Sequence, residues 1–359
     1  MKMKRKGILP VLAAVALAVA LSVPAPAPAA EYKLRCASIY PAPDVPMSMG
    51  KALQIWQEEL NRLTGGKFAF ENFYGATIGK GPEHIDLVGN RTVDVAQTFP
   101  WYTPGRFPIH GVTYVLPFGP SDPMLIVKAN RQLREKFPQL VEDEKKNKVL
   151  LISDPPGGVY DFMSRKPLRT LEDFKGEKVS LVGRYFGRWL PPGATAVVRP
   201  MHDRYELLQN GVVNIDLHPF THFHFTKVYE LVKHYTSVGL MAGFHSQILI
   251  NLEAFNRMPP EIQKAVLEAG RIAEDKMALE VLPAWFKSCQ AEFEKAGVQF
   301  SKFPEAEIKK WADSLEDVPA EWAAEVEAKG YPGFEIVEFW QKATADLGFT
   351  WARKWGVRK

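Results

Sequence analysis

Cysteine is almost missing from this chain of 359 residues: Cys36 and Cys289 are the only two. That excludes a disulfide-stapled scaffold, and two thiols so far apart in sequence read as separate buried side chains. Long apolar runs are missing too. Beyond position 29 no stretch holds 18 uninterrupted apolar residues, so no later membrane-crossing helix is expected. A surplus of one charge is missing once the first segment is set aside. The chain has 45 Lys and Arg against 41 Asp and Glu, but Lys2, Lys4, Arg5 and Lys6 precede position 30 and no acid does, which leaves 41 of each. A balanced chain gives no electrostatic reason to expect a nucleic-acid partner. Catalytic signatures are equally scarce. There is no G-x-S-x-G elbow, no H-E-x-x-H and no glycine-rich phosphate loop, and no internal repeat.

The N-terminus has the layout of a secretory signal peptide. Its four basic residues precede an apolar run from Ile8 to Val23, then prolines and alanines. Ala27-Pro28-Ala29 puts small residues where a signal peptidase needs them, so residues 1–29 are read as a leader and the protein as exported to the periplasm.

From Tyr32 the pattern alternates strand and helix. An apolar, β-branched run over Tyr32 to Tyr40 predicts a first strand. From Ser48, the apolar positions Ala52, Leu53, Ile55, Trp56, Leu60 and Leu63 predict a helix stopped by Gly65-Gly66. Strands are predicted over Lys67 to Phe73, Val93 to Thr98 and Lys148 to Asp154, with a helical stretch near Asp122 to Leu140. Later, Pro259-Pro260 opens a long helix of roughly Glu261 to Ala296, bent at Pro283. This order implies an α/β protein with mainly parallel, doubly wound sheets, whose ligands sit beyond the carboxyl ends of the strands. Those ends are aromatic: Ile39-Tyr40, Phe73-Tyr74 and Phe99-Pro100-Trp101-Tyr102.

The stretch from Arg165 to Val232 is the most specific. It reads as a cap, a short strand, a loop, a helix, a strand and an aromatic, histidine-rich loop. Leu171-Glu172-Asp173-Phe174-Lys175-Gly176, Pro200-Met201, Tyr205 to Val213, Lys227 to Tyr235 and Met258-Pro259-Pro260-Glu261-Ile262-Gln263-Lys264 occur in an order that resembles the DctP-type solute-binding proteins of tripartite ATP-independent periplasmic (TRAP) transporters. The resemblance runs from about Tyr32 to about Leu347. It implies a two-lobed periplasmic binding protein fold with crossing hinge strands and a long inter-lobe helix. The expected division is 30–156 plus 246–285 for one lobe and 157–245 plus 286–359 for the other. It also implies TRAP membrane permease subunits as partners, a small organic solute as ligand, no cofactor and no enzymatic turnover.

The chain departs from the family where the ligand is usually clamped. The strand arginine of the family falls at Ser180, a second arginine position at Tyr160, and the Val-Asp-Gly-x-Glu-Asn loop reads Val213-Asn214-Ile215-Asp216-Leu217-His218. An arginine pairs with a carboxylate through two parallel hydrogen bonds, so both losses argue against dicarboxylates and sialic acids. Arg184, four residues past Ser180, is the replacement cation the sequence offers; Arg188 is read as solvated. Tyr160, Phe162, Tyr185 and Trp189 bring flat rings to the same region, with Phe99 and Trp101 from the other half. The expected ligand set is Phe99, Trp101, Tyr160, Phe162, Ser180, Arg184, Tyr185, Met201, His218, His222 and Phe244. It suits a planar or aromatic organic solute, a monocarboxylate among the options. Two alternatives stay open: a metal receptor using His218, His222 and His224, whose imidazoles are common zinc or copper ligands, and a periplasmic enzyme of unknown reaction.

Overall fold

A computed structural model describes residues 30–99, 102–182, 185–199, 203–241 and 245–358. Its order begins β1 (Tyr32–Ser38), α1 (Gly50–Thr64), β2 (Phe68–Phe73), α2 (His84–Gly89), β3 (Val95–Thr98), α3 (Pro123–Lys136), α4 (Gln139–Lys146), β4 (Val149–Ser153). It continues β5 (Asp161–Ser164), β6 (Lys178–Leu181), β7 (Thr195–Val198), α5 (Arg204–Gln209), β8 (Ile215–His218), α6 (Phe220–Phe225), β9 (His234–Ser237), β10 (Gln247–Asn251), α7 (Pro260–Lys276), α8 (Leu282–Lys295) and β11 (Gln299–Lys302). Three helices, α9 (Glu305–Ser314), α10 (Val318–Glu327) and α11 (Gly333–Asp346), complete it. None of the described helices is long and apolar enough to cross a membrane.

Two mixed sheets result. One has five strands in the order β2-β1-β3-β10-β4, the other six in the order β11-β9-β5-β8-β6-β7. The first is parallel through β2, β1 and β3, as the strand–helix alternation predicts, but β10 runs antiparallel to both its neighbours. In the second, β5 is the antiparallel member between β8 and β9. The two exceptions have one cause. β5 and β10 are the strands that enter after a crossing from the other sheet, so each arrives against the local direction. The crossings run side by side, bridged where Pro156 pairs with His245. Asp161 fastens them: its carboxylate accepts from the backbone N–H groups of Val238 and Gly239 and from the Tyr235 hydroxyl.

Strand alternation sorts the core. In the first sheet Cys36, Val95, Ile248 and Ile250 face Trp56 of α1 and Val266 of α7, while Ala37, Ala96 and Leu249 face Ile85 and Val88 of α2. The Trp56 indole donates to the Val266 carbonyl at 3.2 Å, pinning α1 to α7. Helix α1 ends as its glycines require: Gly65 and Gly66 take φ of 70° and 83°, and both N–H groups bond to Asn61 O. Leu63, the last apolar position of the helix pattern, is on the exposed face. The long helix is not simply bent at Pro283. A π-helical segment, Met277–Val281, separates α7 from α8 within one continuous run of helix, and Pro283, which has no N–H to donate, follows directly after it. Both thiols are free and buried; burial pushes the Cys289 thiol up to about 12.

Candidate functional site

A cleft of about 840 Å³ opens where the carboxyl ends of strands from both sheets converge. Ile39 and Tyr40 follow β1, and Phe99 and Tyr102 follow β3. Tyr160 precedes β5, Val182 follows β6, and His218 ends β8. Thr221, His222 and Phe225 of α6, and Trp322 and Val326 of α10, close the sides.

The first-sheet wall is a herringbone of rings. Phe99 meets Tyr40 edge-to-face with centroids 5.7 Å apart and Tyr102 likewise at 5.1 Å. Gly81 lets Tyr102 approach, since a Cβ there would lie 2.5 Å from its Cε2. The opposing wall is a column of four stacked rings. Phe186 lies 4.4 Å from Tyr160, Tyr160 lies 5.5 Å from His218, and His218 lies 4.5 Å from His222, with interplanar angles of 28°, 23° and 18°.

Behind this column lies a buried ion pair. Arg204 of α5 and Asp216 of β8 are hydrogen-bonded, and both side chains are wholly excluded from solvent. The Ser180 hydroxyl also donates to the Asp216 carboxylate, and Arg204 Nη1 donates to the Ser180 carbonyl at 3.3 Å. Arg204 Nε and Nη2 and Asp216 Oδ2 have no further hydrogen-bond partner, nor has either ring nitrogen of His218, which is 3% exposed. Burial, reinforced by the Arg204 charge, holds the His218 imidazole well below the usual histidine range and His222 at about 4, so both rings are neutral at ordinary pH. Burial also raises the Asp216 carboxyl, against the pull of Arg204.

Of the residues expected from sequence, Phe99, Tyr160, Tyr185, His218 and His222 line the cleft. Trp101, Arg184, Met201 and Phe244 lie outside the described residues. Two others do not reach it. Phe162 is fully buried, packed on Phe174 at 5.2 Å in the same core cluster as Tyr160, but two residues deeper along the chain than the ring that lines the cleft. Ser180 faces Asp216 beneath the wall. Arg188, read as solvated, is paired with Glu316 and Glu321.

The metal reading is corrected by geometry. The histidine-rich segment is not a loop but α6, begun after Pro219. Positions two apart on a helix point to nearly opposite sides, so His224 turns away from His222 and meets Glu292 at 3.0 Å. His218 and His222 stack face to face, which keeps their in-plane lone pairs from converging. No group of three potential metal ligands occurs among the described residues.

Sequence reasoning missed Arg204 as a buried cation, for it sits in Arg204-Tyr205-Glu206, which reads as a solvated face. It also missed Phe186 and the contribution of α10, which reaches the cleft from far along the chain. Only the ring of Phe186, between Tyr185 and Trp189, offered a signal.

The chain matches the family described as bacterial extracellular solute-binding protein, family 7, over residues 44–325. A solute-binding protein of Sulfitobacter sp. (strain NAS-14.1) is 23% identical over 256 residues, covering 68% of this chain and 73% of that one. Among solved structures, a TRAP periplasmic solute-binding protein from Desulfovibrio salexigens superposes with a TM-score of 0.79 at 22% identity, covering 89% of this chain and 97% of that one. A marine metagenome TRAP solute-binding protein, specific for aromatic acid ligands and in complex with metahydroxyphenylacetate, gives 0.73 at 21% identity, covering 89% and 100%.

Proposed function

Because the chain belongs to the bacterial extracellular solute-binding proteins of family 7, we propose that it captures one planar organic acid between its two sheets and delivers it to the membrane subunits of a TRAP permease. The protein is a solute-binding receptor, not an enzyme, and its family is extracytoplasmic. Residues 1–29 would direct it to the periplasm and be removed there.

One observation carries the choice of ligand class. Tyr40, Phe99 and Tyr102 face Tyr160, Phe186, His218 and His222 across a single cleft. Flat rings bury large area with little loss of rotamer freedom and accept a planar guest by offset or edge-to-face contact, at about 0.5–1.5 kcal/mol per ring beyond area burial. The described groups at the cleft supply hydrogen-bonding edges without a bidentate guanidinium, which disfavours ligands with two or more carboxylates. Closure about the crossings at Pro156 and His245 would expel water and strengthen the polar contacts.

The test is a thermal-shift screen of benzoate, 3-hydroxybenzoate, orotate, citrate, galacturonate and zinc chloride. A ligand at a hundredfold excess over its Kd stabilises the folded receptor by about 2.7 kcal/mol. The reading expects shifts with planar monoacids. Shifts confined to citrate, galacturonate or zinc would refute it.

A further inference from the structure

We propose that the receptor takes up one proton together with its acid: as the ligand carboxylate closes on the His218–His222 stack, bulk solvent protonates that imidazole pair, and the guest is held as a carboxylate–imidazolium pair. This rests on the organic-acid reading above and deepens it.

Charge balance is the first argument. Arg204 and Asp216 already neutralise each other behind the wall. Among the described residues the other cation lining the cleft is the exposed Lys329, so a carboxylate sealed against that wall adds one negative charge to a dry region, and such a charge is met either by a partner or by a proton.

The second argument is the chemistry of the wall. His218 is buried and lines the cleft, with neither nitrogen engaged. A neutral imidazole offers one N–H and one lone pair. Turning the lone pair toward a carboxylate sets acceptor against acceptor, and turning the N–H toward it gives one hydrogen bond without a countercharge; a proton from water makes both nitrogens donors and supplies that charge. His222, stacked at 4.5 Å, shares the positive charge with a second ring at the same surface.

The surrounding charges decide whether the proton waits for the ligand. Arg204 opposes protonation from α5, an effect its partner Asp216 on β8 weakens without cancelling. Burial pushes the phenols of Tyr160, Tyr40 and Tyr102 up, so they stay neutral at the cleft, which Tyr114 and Tyr185 also line. Glu325 on α10 and the exposed Lys329 beyond it stand at the solvent-screened rim, and His224 is turned to Glu292. Without a ligand, burial and Arg204 keep both rings neutral. With a carboxylate in contact, the nearest charge is the ligand's own, and its attraction in a low-dielectric cleft reverses the balance.

Titration calorimetry of the full-length mature receptor with benzoate, 3-hydroxybenzoate and orotate tests this, in several buffers of different ionisation enthalpy. The slope of observed heat against buffer enthalpy counts protons. The expected slope near pH 7 is about one proton absorbed per acid bound, with affinity rising up to tenfold per pH unit between about pH 8 and pH 6. Benzyl alcohol, a ring without a carboxylate, should show a slope of zero or not bind. His218→Gln or His222→Gln should abolish the slope, and the wild-type slope stands as evidence even if a variant folds poorly. Acid binding with zero slope across this range overturns the inference and leaves the organic-acid reading standing. A slope retained in a folded His218→Gln/His222→Gln double variant puts the proton on another group and also overturns it. No binding by any of the three acids at about 1 mM would sink the organic-acid reading itself and this inference with it.

Discussion

Replacing Arg204 by methionine should cost this receptor more stability than any rim substitution. Arg204 and Asp216 are completely shielded from solvent, and among the described side chains Asp216 is answered by Ser180 and Arg204. Arg204→Met keeps the bulk of the stem and removes the charge, so Asp216 is left buried and uncompensated. Breaking one side of such a pair costs about 3–5 kcal/mol. With unfolding entropy near 2.1 cal/mol/K per residue, a chain of this length loses about 1–2 °C per kcal/mol, so calorimetry should show a fall in Tm of about 4–8 °C. The double variant Arg204→Met/Asp216→Leu removes both charges and should recover most of that loss, which a double-mutant cycle quantifies. A second readout is independent of stability. Arg204 depresses His222 after burial does, so histidine NMR in Arg204→Met should place His222 above about 4 yet below the ordinary value of 6.5. A loss under about 1 kcal/mol, or a double variant as unstable as the single, would refute the reasoning, since either would mean that water reaches the pair.

Other expectations separate the cleft from the core. Tyr160→Ala should weaken a planar ligand by about 1–3 kcal/mol in titration calorimetry, because Tyr160 joins Phe186 to His218 in the stacked wall. Phe162→Ala, one turn of the pleat away from Asp161, should leave affinity within twofold while costing about 3–5 kcal/mol in urea unfolding. His222 has a folded-state pKa below its unfolded one. It therefore contributes stability that is complete above about pH 6.5 and is lost as pH falls through about 4; His222→Gln should flatten that acid-side loss in urea midpoints taken at both ends. Gly270→Ala should destabilise by more than about 2 kcal/mol, because its Cβ would fall 1.7 Å from the Ile152 carbonyl oxygen where α7 rides on β4; wild-type stability in that variant would show that α7 sits farther off.

The local fold was legible where a period or a punctuation mark carries it. The apolar run that begins at Tyr32, the apolar stripe and terminal glycines of α1, and the helical stretch that begins near Asp122 each require no tertiary information. The reversal of β5 and β10 was not legible, because strand direction depends on which sheet the chain has just left. The site divides along the same line. The rings at strand ends, Phe99 and Tyr160, and the histidines of Leu217 to Phe225 could be picked out because side-chain type and position in the strand–loop pattern coincide. Phe162 was misplaced by depth, for two residues past Tyr160 the chain is already inside the core. Arg204 was missed because its helix has one turn of apolar signal, and only the packing of α5 under β8 turns its charge inward. Ser180 was read as the place where an expected guanidinium is absent, but the sequence could not reveal that Arg204 donates to its carbonyl from another element.

A crystal structure of the receptor with a bound aromatic monoacid is the most direct test of the two-wall cleft. The account predicts the ligand ring between Phe99 and Tyr160, with its carboxylate within hydrogen-bond reach of His218. A ligand seated outside this cleft, or held inside it by a carboxylate that avoids both His218 and His222, would contradict it.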